Sequence, residues 1–346
     1  MTLNMQENGH VGEPVENKME KETKTRSLPI RIILDNFVWI LVFTLLVAAF
    51  ITTPSFFQPD NLVNLLVQAG VLALLVLAES ICLIAGYFDM SIESILIFTS
   101  VFTAWLVVPH QAASGLELHP ALGVAAILLS GALIGAVNGF LIAYIKMNAF
   151  ITTLAMSIIL IGSCVTISQG NTLGPFPDTF KFFGDGKVGP IPTTILLFVF
   201  MYVFFGFILK NTPFGRKLYA VGGNRNASQA SGIKTKRIVF FAYVLSGLIS
   251  GLGGLVLSGR LGAAVSHMTR NNLLYAFAAA VIGGVSPFGG QGRVLNIFGG
   301  VILLMVVNKL LIIAHVDPFL ITSTSGAIIF IAMLIMTIKQ KKFVEV

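Results

Sequence analysis

Charge is scarce in this chain: Asp, Glu, Lys and Arg make up 11% of its 346 residues, against roughly 25% in an ordinary soluble domain, so no large water-exposed domain is expected. Cysteine is scarcer still. Cys82 and Cys164 each sit inside an apolar run, where packing in lipid is expected rather than a disulfide or a ligand set. The five histidines, His10, His110, His119, His267 and His315, are scattered without metal spacing. There is no Walker A loop, because the only Gly-Lys pair, Gly186-Lys187, is followed by Val188 and lacks both the upstream glycine spacing and the Ser/Thr that holds magnesium. The chain is therefore not its own ATPase. A Gly-x-Ser-x-Gly elbow, a His-Glu-x-x-His helix and a carboxylate pair with a neighbouring His are also missing, which leaves a membrane enzyme without a visible active site.

What the chain does have is apolar length. Hydrophobic residues reach 55% and mean hydropathy is +0.89. Runs of spanning length can be read at 32–51, 62–84, 92–108, 122–145, 150–168, 192–209, 238–257, 273–285, 294–314 and 318–338. This predicts an all-α polytopic membrane protein with about ten transmembrane helices. The run at 273–285, with 13 residues, is short for a crossing and suits a re-entrant or broken helix buried in protein. Residues 1–31 carry five acids and five bases with almost no apolar content, the composition of a disordered tail. No apolar core follows a short basic start, so a cleaved signal peptide is not expected. The predicted organisation is a cytoplasmic tail at 1–31, a transmembrane domain at 32–338 and a second cytoplasmic tail at 339–346. With the N-terminus inside, 17 basic residues fall on the cytoplasmic side and four outside, with Lys309 inside a span. Cytoplasmic loops attract Lys and Arg, so this orientation is preferred and both termini are placed in the cytoplasm of a multi-pass inner-membrane protein.

Seven of the 22 Lys and Arg lie between Lys210 and Arg237, in the only sizeable cytoplasmic loop between spans. Its centre reads as a turn at Gly222-Gly223-Asn224 leading into a short small-residue helix that ends at Gly232. A helix of that kind on a cytoplasmic loop is a docking surface. Its candidate residues are Asn224, Ala227, Ser228, Gln229, Ala230, Ser231, Gly232 and Ile233.

A candidate solute path comes from the polar residues buried in the apolar runs, each of which is costly in lipid. Glu79 lies in the second run, Asp89 and Glu93 in the interruption at 86–94, and Lys309 in the ninth run. Asp89 also suits a cap on the following helix with Ser91 nearby, and Lys309 suits snorkelling or pairing with an acid. Asn138, Thr152, Thr153 and Asn308 complete the candidate set, and the hydroxyls of Ser157, Ser163, Thr166, Ser168 and 322–325 suit either interhelical hydrogen bonds or a polyhydroxy solute. Gly131, Gly135 and Gly139, and likewise Gly247 and Gly251, recur at every fourth residue and predict close helix packing. Five glycines and a proline within 283–292 must turn the chain. Finally, residues 138–153 resemble residues 308–322 with a one-residue gap, and the ten-span arrangement runs the copies in opposite directions, as in the inverted repeats of transporters.

Taken together, Ala220-Val-Gly-Gly-Asn224, Ala230-Ser-Gly-Ile233, Ser246-Gly-Leu-Ile-Ser-Gly-Leu-Gly-Gly254, Ala278-Ala-Ala-Val-Ile-Gly-Gly284, Gly289-Gly-Gln-Gly292 and Phe150-Ile-Thr-Thr-Leu154 resemble the permease subunit of ribose-type ABC importers, which carry sugars and autoinducer-2, over roughly 61–339. The resemblance implies a type II importer fold, two permease subunits around one path as a homodimer or heterodimer, a cytoplasmic ATP-binding subunit that holds ATP and Mg, and an extracytoplasmic solute-binding protein. It makes 222–233 the coupling helix, with no cofactor bound by this chain and no nucleic acid partner. The chain departs from the family pattern at four places: Glu93 stands at a glycine position, Leu273 replaces an acid, Asn296 replaces a glycine, and Asn226-Ala-Ser228 replaces Glu-Ala-Ala. A nucleoside or amino-acid importer of the same superfamily, or a secondary transporter, is the alternative reading of the same spans.

Overall fold

The computed structural model describes residues 36–109, 113–266 and 272–317, with nine scattered residues between 320 and 334. The two predicted tails, 1–31 and 339–346, lie outside the described residues, as do His10, His110, His267, Thr322, Ser325 and most of the run at 318–338. Within the described residues the apolar runs become helices. In chain order these are α1 (Phe37–Thr52), a 3-10 turn (Pro54–Phe57), α2 (Pro59–Ile84), α3 (Ile92–Val107), α4 (Pro120–Ala143), α5 (Ala149–Ser168) and α6 (Asp178–Asp185). A two-residue-strand hairpin of β1 (Lys187–Val188) and β2 (Ile191–Pro192) follows, then α7 (Thr193–Asn211), α8 (Pro213–Gly223), α9 (Arg225–Ala230), α10 (Thr235–Leu261), α11 (Asn272–Ile282) and α12 (Val294–Ile313). Proline opens α2 and α4 where its missing N–H costs nothing. Asn148 caps α5 by accepting a bond from the Ile151 N–H at 3.2 Å.

Among the described residues six helices, α2, α4, α5, α7, α10 and α12, are long and apolar enough to cross a membrane. Helix α11 has 11 residues, about 16 Å, so it reaches only about halfway through a hydrocarbon core of roughly 30 Å. It ends in a turn at Gly284, φ +82°. The sequence expectation of a short or broken helix at 273–285 therefore matches its length.

Helix α2 is apolar on all sides, and a helix of that kind belongs in the interior; every residue of 69–85 is buried. α7, α10, α11 and α12 surround it. The two glycine stripes face one another, as their spacing predicts. A Cβ on Gly135 would lie 2.2 Å from the Tyr243 carbonyl oxygen, and one on Gly247 would lie 2.2 Å from that of Gly131, so α4 and α10 touch backbone to backbone.

The connections gather at two ends. One end joins 84–91, 144–148, 211–237 and 283–293: Gly290 N–H bonds the Ile84 carbonyl at 2.9 Å, the Tyr219 hydroxyl bonds the Gly292 carbonyl at 2.7 Å, and the Lys236 ammonium stands 5.8 Å from the Tyr144 ring centre. The other end joins 173–186 and 259–264 through the Leu173–Ala264 pair and Phe176 N–H to Gly262 O, and the end of α3 and the start of α4 meet there, where a Cβ on Gly123 would touch Val107 and Phe180. The first end is the basic one.

Both repeated segments leave their helix through a turn, the second one residue shorter than the first. Tyr144 N–H bonds Phe140 O and Met147 N–H bonds Leu141 O; at the equivalent positions Ala314 N–H bonds Leu310 O and Val316 N–H bonds Leu311 O. A non-glycine residue with positive φ sits inside each turn, Lys146 at +68° and His315 at +55°. The first turn lies at the basic end, whereas Leu310 and Ile313 pack beside Ala49, Phe56 and Phe57 at the far end of α2. The two copies thus run in opposite directions.

Candidate functional site

Residues 210–237 are more ordered than the loop read from sequence. Thr212 accepts from the Gly215 N–H at 3.4 Å to start α8. Gly222 and Gly223, read as a turn, instead finish this helix, because Gly222 must pass against Ile84 and Gly290: a Cβ there would sit 1.8 Å from the Ile84 oxygen. The break falls at Asn224, whose extended backbone (φ −155°, ψ 101°) separates the helices and whose Oδ1 accepts from the Ala227 N–H at 2.9 Å. Helix α9 then closes with Gly232 N–H on Gln229 O and Ile233 N–H on Ser228 O, both 3.0 Å. That pair of bonds is a Schellman closure, and it requires the left-handed φ of +80° at Gly232.

The outer face of α9 is small and uncharged. Asn224, Ala227, Gln229, Ala230, Ser231 and Gly232 are exposed, Ile233 is half-buried and Ser228 is buried. Exposed Arg216, Lys217, Lys234, Lys236 and Arg237 surround it. All eight candidate residues thus fall on one capped element and its caps, six of them exposed.

Inside the same end lies a closed polar cluster. Glu79 of α2 and Asp89 are fully buried. Asp89 Oδ1 accepts from Ser91 N–H at 2.9 Å and from the Ser91 hydroxyl at 2.5 Å, while its Oδ2 accepts from the Ser246 hydroxyl of α10 at 3.2 Å. The Asn138 amide of α4 donates to Ser91 Oγ at 2.9 Å. Glu79 Oε1 accepts from Asp89 N–H at 3.4 Å, Thr153 Oγ1 of α5 accepts from Met90 N–H at 2.9 Å, and the Tyr243 hydroxyl of α10 donates to Phe88 O at 3.1 Å. Asp89 therefore shapes the turn before α3 rather than capping the helix from its own N-cap position. Four of the predicted residues, Glu79, Asp89, Asn138 and Thr153, meet in this cluster. Ser91, Ser246 and Tyr243 belong to it too; the only sequence signal for them was hydroxyls set in otherwise apolar helices.

The remaining predicted residues lie elsewhere. Glu93 projects from α3 to the start of α11, where its carboxylate accepts from Asn272 N–H at 3.1 Å, Asn272 Nδ2 at 3.0 Å and Leu273 N–H at 3.2 Å. It supplies the anion that a helix N-terminus favours, on the very helix whose own expected acid is Leu273. Asn296, the other glycine replacement, accepts from Trp39 Nε1 at 3.3 Å and ties α12 to α1. Thr152 is buried and bonds its own helix through Asn148 O at 2.7 Å, as do Ser163 and Thr166 through Ile159 O and Gly162 O. These hydroxyls are satisfied within α5. Asn308 is half-buried near the end of α12, away from the cluster. Cys82 and Cys164 are both buried and form no disulfide.

The profile of the family described as "Branched-chain amino acid transport system / permease component" matches residues 61–337. The ribose import permease protein RbsC of Haemophilus influenzae is 30% identical over 320 residues, covering 91% of this chain and 97% of that protein. RbsC of Bacillus subtilis is 34% identical over 296 residues, 85% and 90% of the two chains, and the L-arabinose transport system permease protein AraH of Escherichia coli is 33% identical over 308, 89% and 92%. No solved structure matches the chain.

Proposed function

This chain belongs to the family of branched-chain amino acid transport system permease components, and on that premise we propose that it is the membrane permease subunit of an ATP-driven importer for a small neutral sugar. The chain is non-catalytic and multi-pass. The relatives named above are permeases for ribose and L-arabinose, which supports a sugar over the nucleoside, amino-acid and secondary-transport alternatives. A neutral solute also suits spans that carry hydroxyls and amides but no arginine away from their ends, since an anion path calls for a cationic clamp.

In this reading ten crossings run from a cytoplasmic N-terminus to a cytoplasmic C-terminus, and the basic end faces the cytoplasm. A second permease subunit, identical or related, completes the path. A cytoplasmic subunit binds ATP and Mg and hydrolyses ATP, and an extracytoplasmic protein delivers the sugar. Glu79, Asp89, Asn138 and Thr153 border the path by holding the helices that line it, with Thr152 beside them on α5 and Glu93 fixing α11 alongside.

The observation that carries the proposal is α9: a capped, exposed, small-residue helix on the basic end of a chain that has no phosphate-binding loop. ATP's free energy has to enter through such a contact. Ala230→Trp overpacks the recess that receives it, at a cost of about 1–3 kcal/mol. The expected result is a permease that reaches the membrane in normal amount while sugar uptake collapses, either because the ATPase no longer co-purifies or because its hydrolysis no longer responds to solute. Normal uptake, co-purification and stimulated hydrolysis together would reject the assignment. Gly232→Leu is the poorer probe, because its left-handed backbone strains any side chain whatever the docking partner does.

A further inference from the structure

Between the docking helix and the buried cluster there is one side-chain contact that serves neither the outward face of α9 nor the cluster's own hydrogen bonds. Arg225, the first residue of α9, turns inward. Its Nη1 donates to the Tyr87 hydroxyl, and its guanidinium carbon stands 5.8 Å from the centre of the Tyr87 ring. Both side chains are half-buried, so the cation–ring attraction is only partly screened by water.

Tyr87 is well placed to pass on a movement. It begins the turn 87–91, every residue of which after Tyr87 is tied to a different helix: Phe88 O to α10 through Tyr243, Asp89 N–H to α2 through Glu79, Met90 N–H to α5 through Thr153, and Ser91 to α4 through Asn138. The Tyr87 ring also lies edge-on to Tyr243 at 6.3 Å, and Phe88 lies edge-on to Phe277 of α11 at 4.8 Å. The turn is thus a hub of five helices, and Arg225 is the side chain by which α9 holds it. The neighbouring backbone contact of Gly222 on Ile84 fixes the end of α8 against the end of α2, and Arg225 joins α9 to the hub beside it.

We propose that Arg225 and Tyr87 are positioning residues that transmit movement of the docked α9 into the 87–91 turn, and through it to the helices around the buried cluster. This rests on the reading of α9 as the ATPase contact. Arginine suits the task because its planar fork holds a hydroxyl and covers a ring at once, which a lysine ammonium does only in part. The outward residues of α9 keep the ATPase bound; Arg225 converts that binding into a change inside the membrane domain.

The test uses the complete importer in proteoliposomes, with Arg225→Ala, Arg225→Lys, Tyr87→Leu, Tyr87→Phe and the Arg225→Ala/Tyr87→Leu double variant. Co-purification of the ATPase, basal ATP hydrolysis, and sugar transported per ATP are measured for each. The expected pattern is an intact complex with sugar per ATP falling about tenfold in Arg225→Ala and in Tyr87→Leu, within the range of site-to-site coupling. The double variant falls no further than either single one, and Arg225→Lys and Tyr87→Phe each recover part of the loss. Independent, multiplying losses, or unchanged transport per ATP in the single variants, would overturn the proposal. If a truncating variant fails to accumulate, the Lys and Phe variants decide, since unaltered transport per ATP in both overturns it equally. Failure of the wild-type chain to retain any ATPase would instead strike the underlying reading of α9, so the two failures are distinguishable.

Discussion

Glu93 does for α11 what that helix cannot do for itself. The first turn of α11 contains no acid, and its leading N–H groups would be costly if buried without partners. The carboxylate of Glu93, only 5% exposed, takes two of those N–H groups and the Asn272 amide. Glu93→Ala should therefore lower stability by about 1–2 kcal/mol, and Glu93→Gln by less, because an acceptor oxygen remains. Thermal unfolding of the purified permease in detergent measures this, and an Ala variant as stable as wild type would reject the capping role. From sequence, Glu93 reads only as an acid in an apolar segment. Its partner is 179 positions away, and nothing local points there. Asp89 was easier to interpret, because a carboxylate two residues before a serine has a short-range partner wherever the chain goes.

Element identity followed from apolar length for the long helices, but not at 178–192 or in the basic loop. Pro213, three glycines and two bases between Asn211 and Asn224 look like a loop, yet Thr212 and Pro213 are a start signal, and Gly222, in the last turn of α8, is a glycine because the backbone of Ile84 leaves no room for a Cβ. The glycine stripes of α4 and α10 are the converse, a sequence spacing whose meaning the packing bears out. Gly135→Val places a side chain where the Tyr243 carbonyl already stands, at a cost of about 1–3 kcal/mol or more, and should sharply reduce the folded permease recovered from membranes by size-exclusion chromatography. Gly162→Val is the control. Gly162 is exposed on α5 and a Cβ there meets nothing within 4 Å, so recovery should stay near wild type; equal recovery of both variants would mean that α4 and α10 do not pack backbone to backbone.

At the scale of the whole molecule, connections distant in sequence meet at two ends, and the basic connections meet at one of them. That segregation supports the orientation read from charge. Single cysteines at Asp178 and Asp317, both exposed and both assigned to the outer side, should react with a membrane-impermeant thiol reagent in intact cells. A cysteine at Gln229 should react only after the membrane is opened, and labelling of Gln229 in intact cells would invert the topology. The same two-ended arrangement places the repeated turns at 144–148 and 314–317 on opposite sides of the core.

The sequence by itself determined that the chain is helical and membrane-embedded, that its bases collect in one loop between spans, and that a small-residue helix ends at a glycine before Ile233. Each of these rests on local quantities: apolar run length, charge, and capping residues within a few positions of one another. Only the tertiary structure decided that Glu79, Asp89, Asn138 and Thr153 share one cluster while Asn308 does not, that Glu93 belongs to α11, and that Arg225 meets Tyr87. Those pairings join positions tens to hundreds of residues apart. They depend on the angle and depth at which helices pack, which is set by side-chain shape along whole interfaces and leaves no periodic trace in the chain.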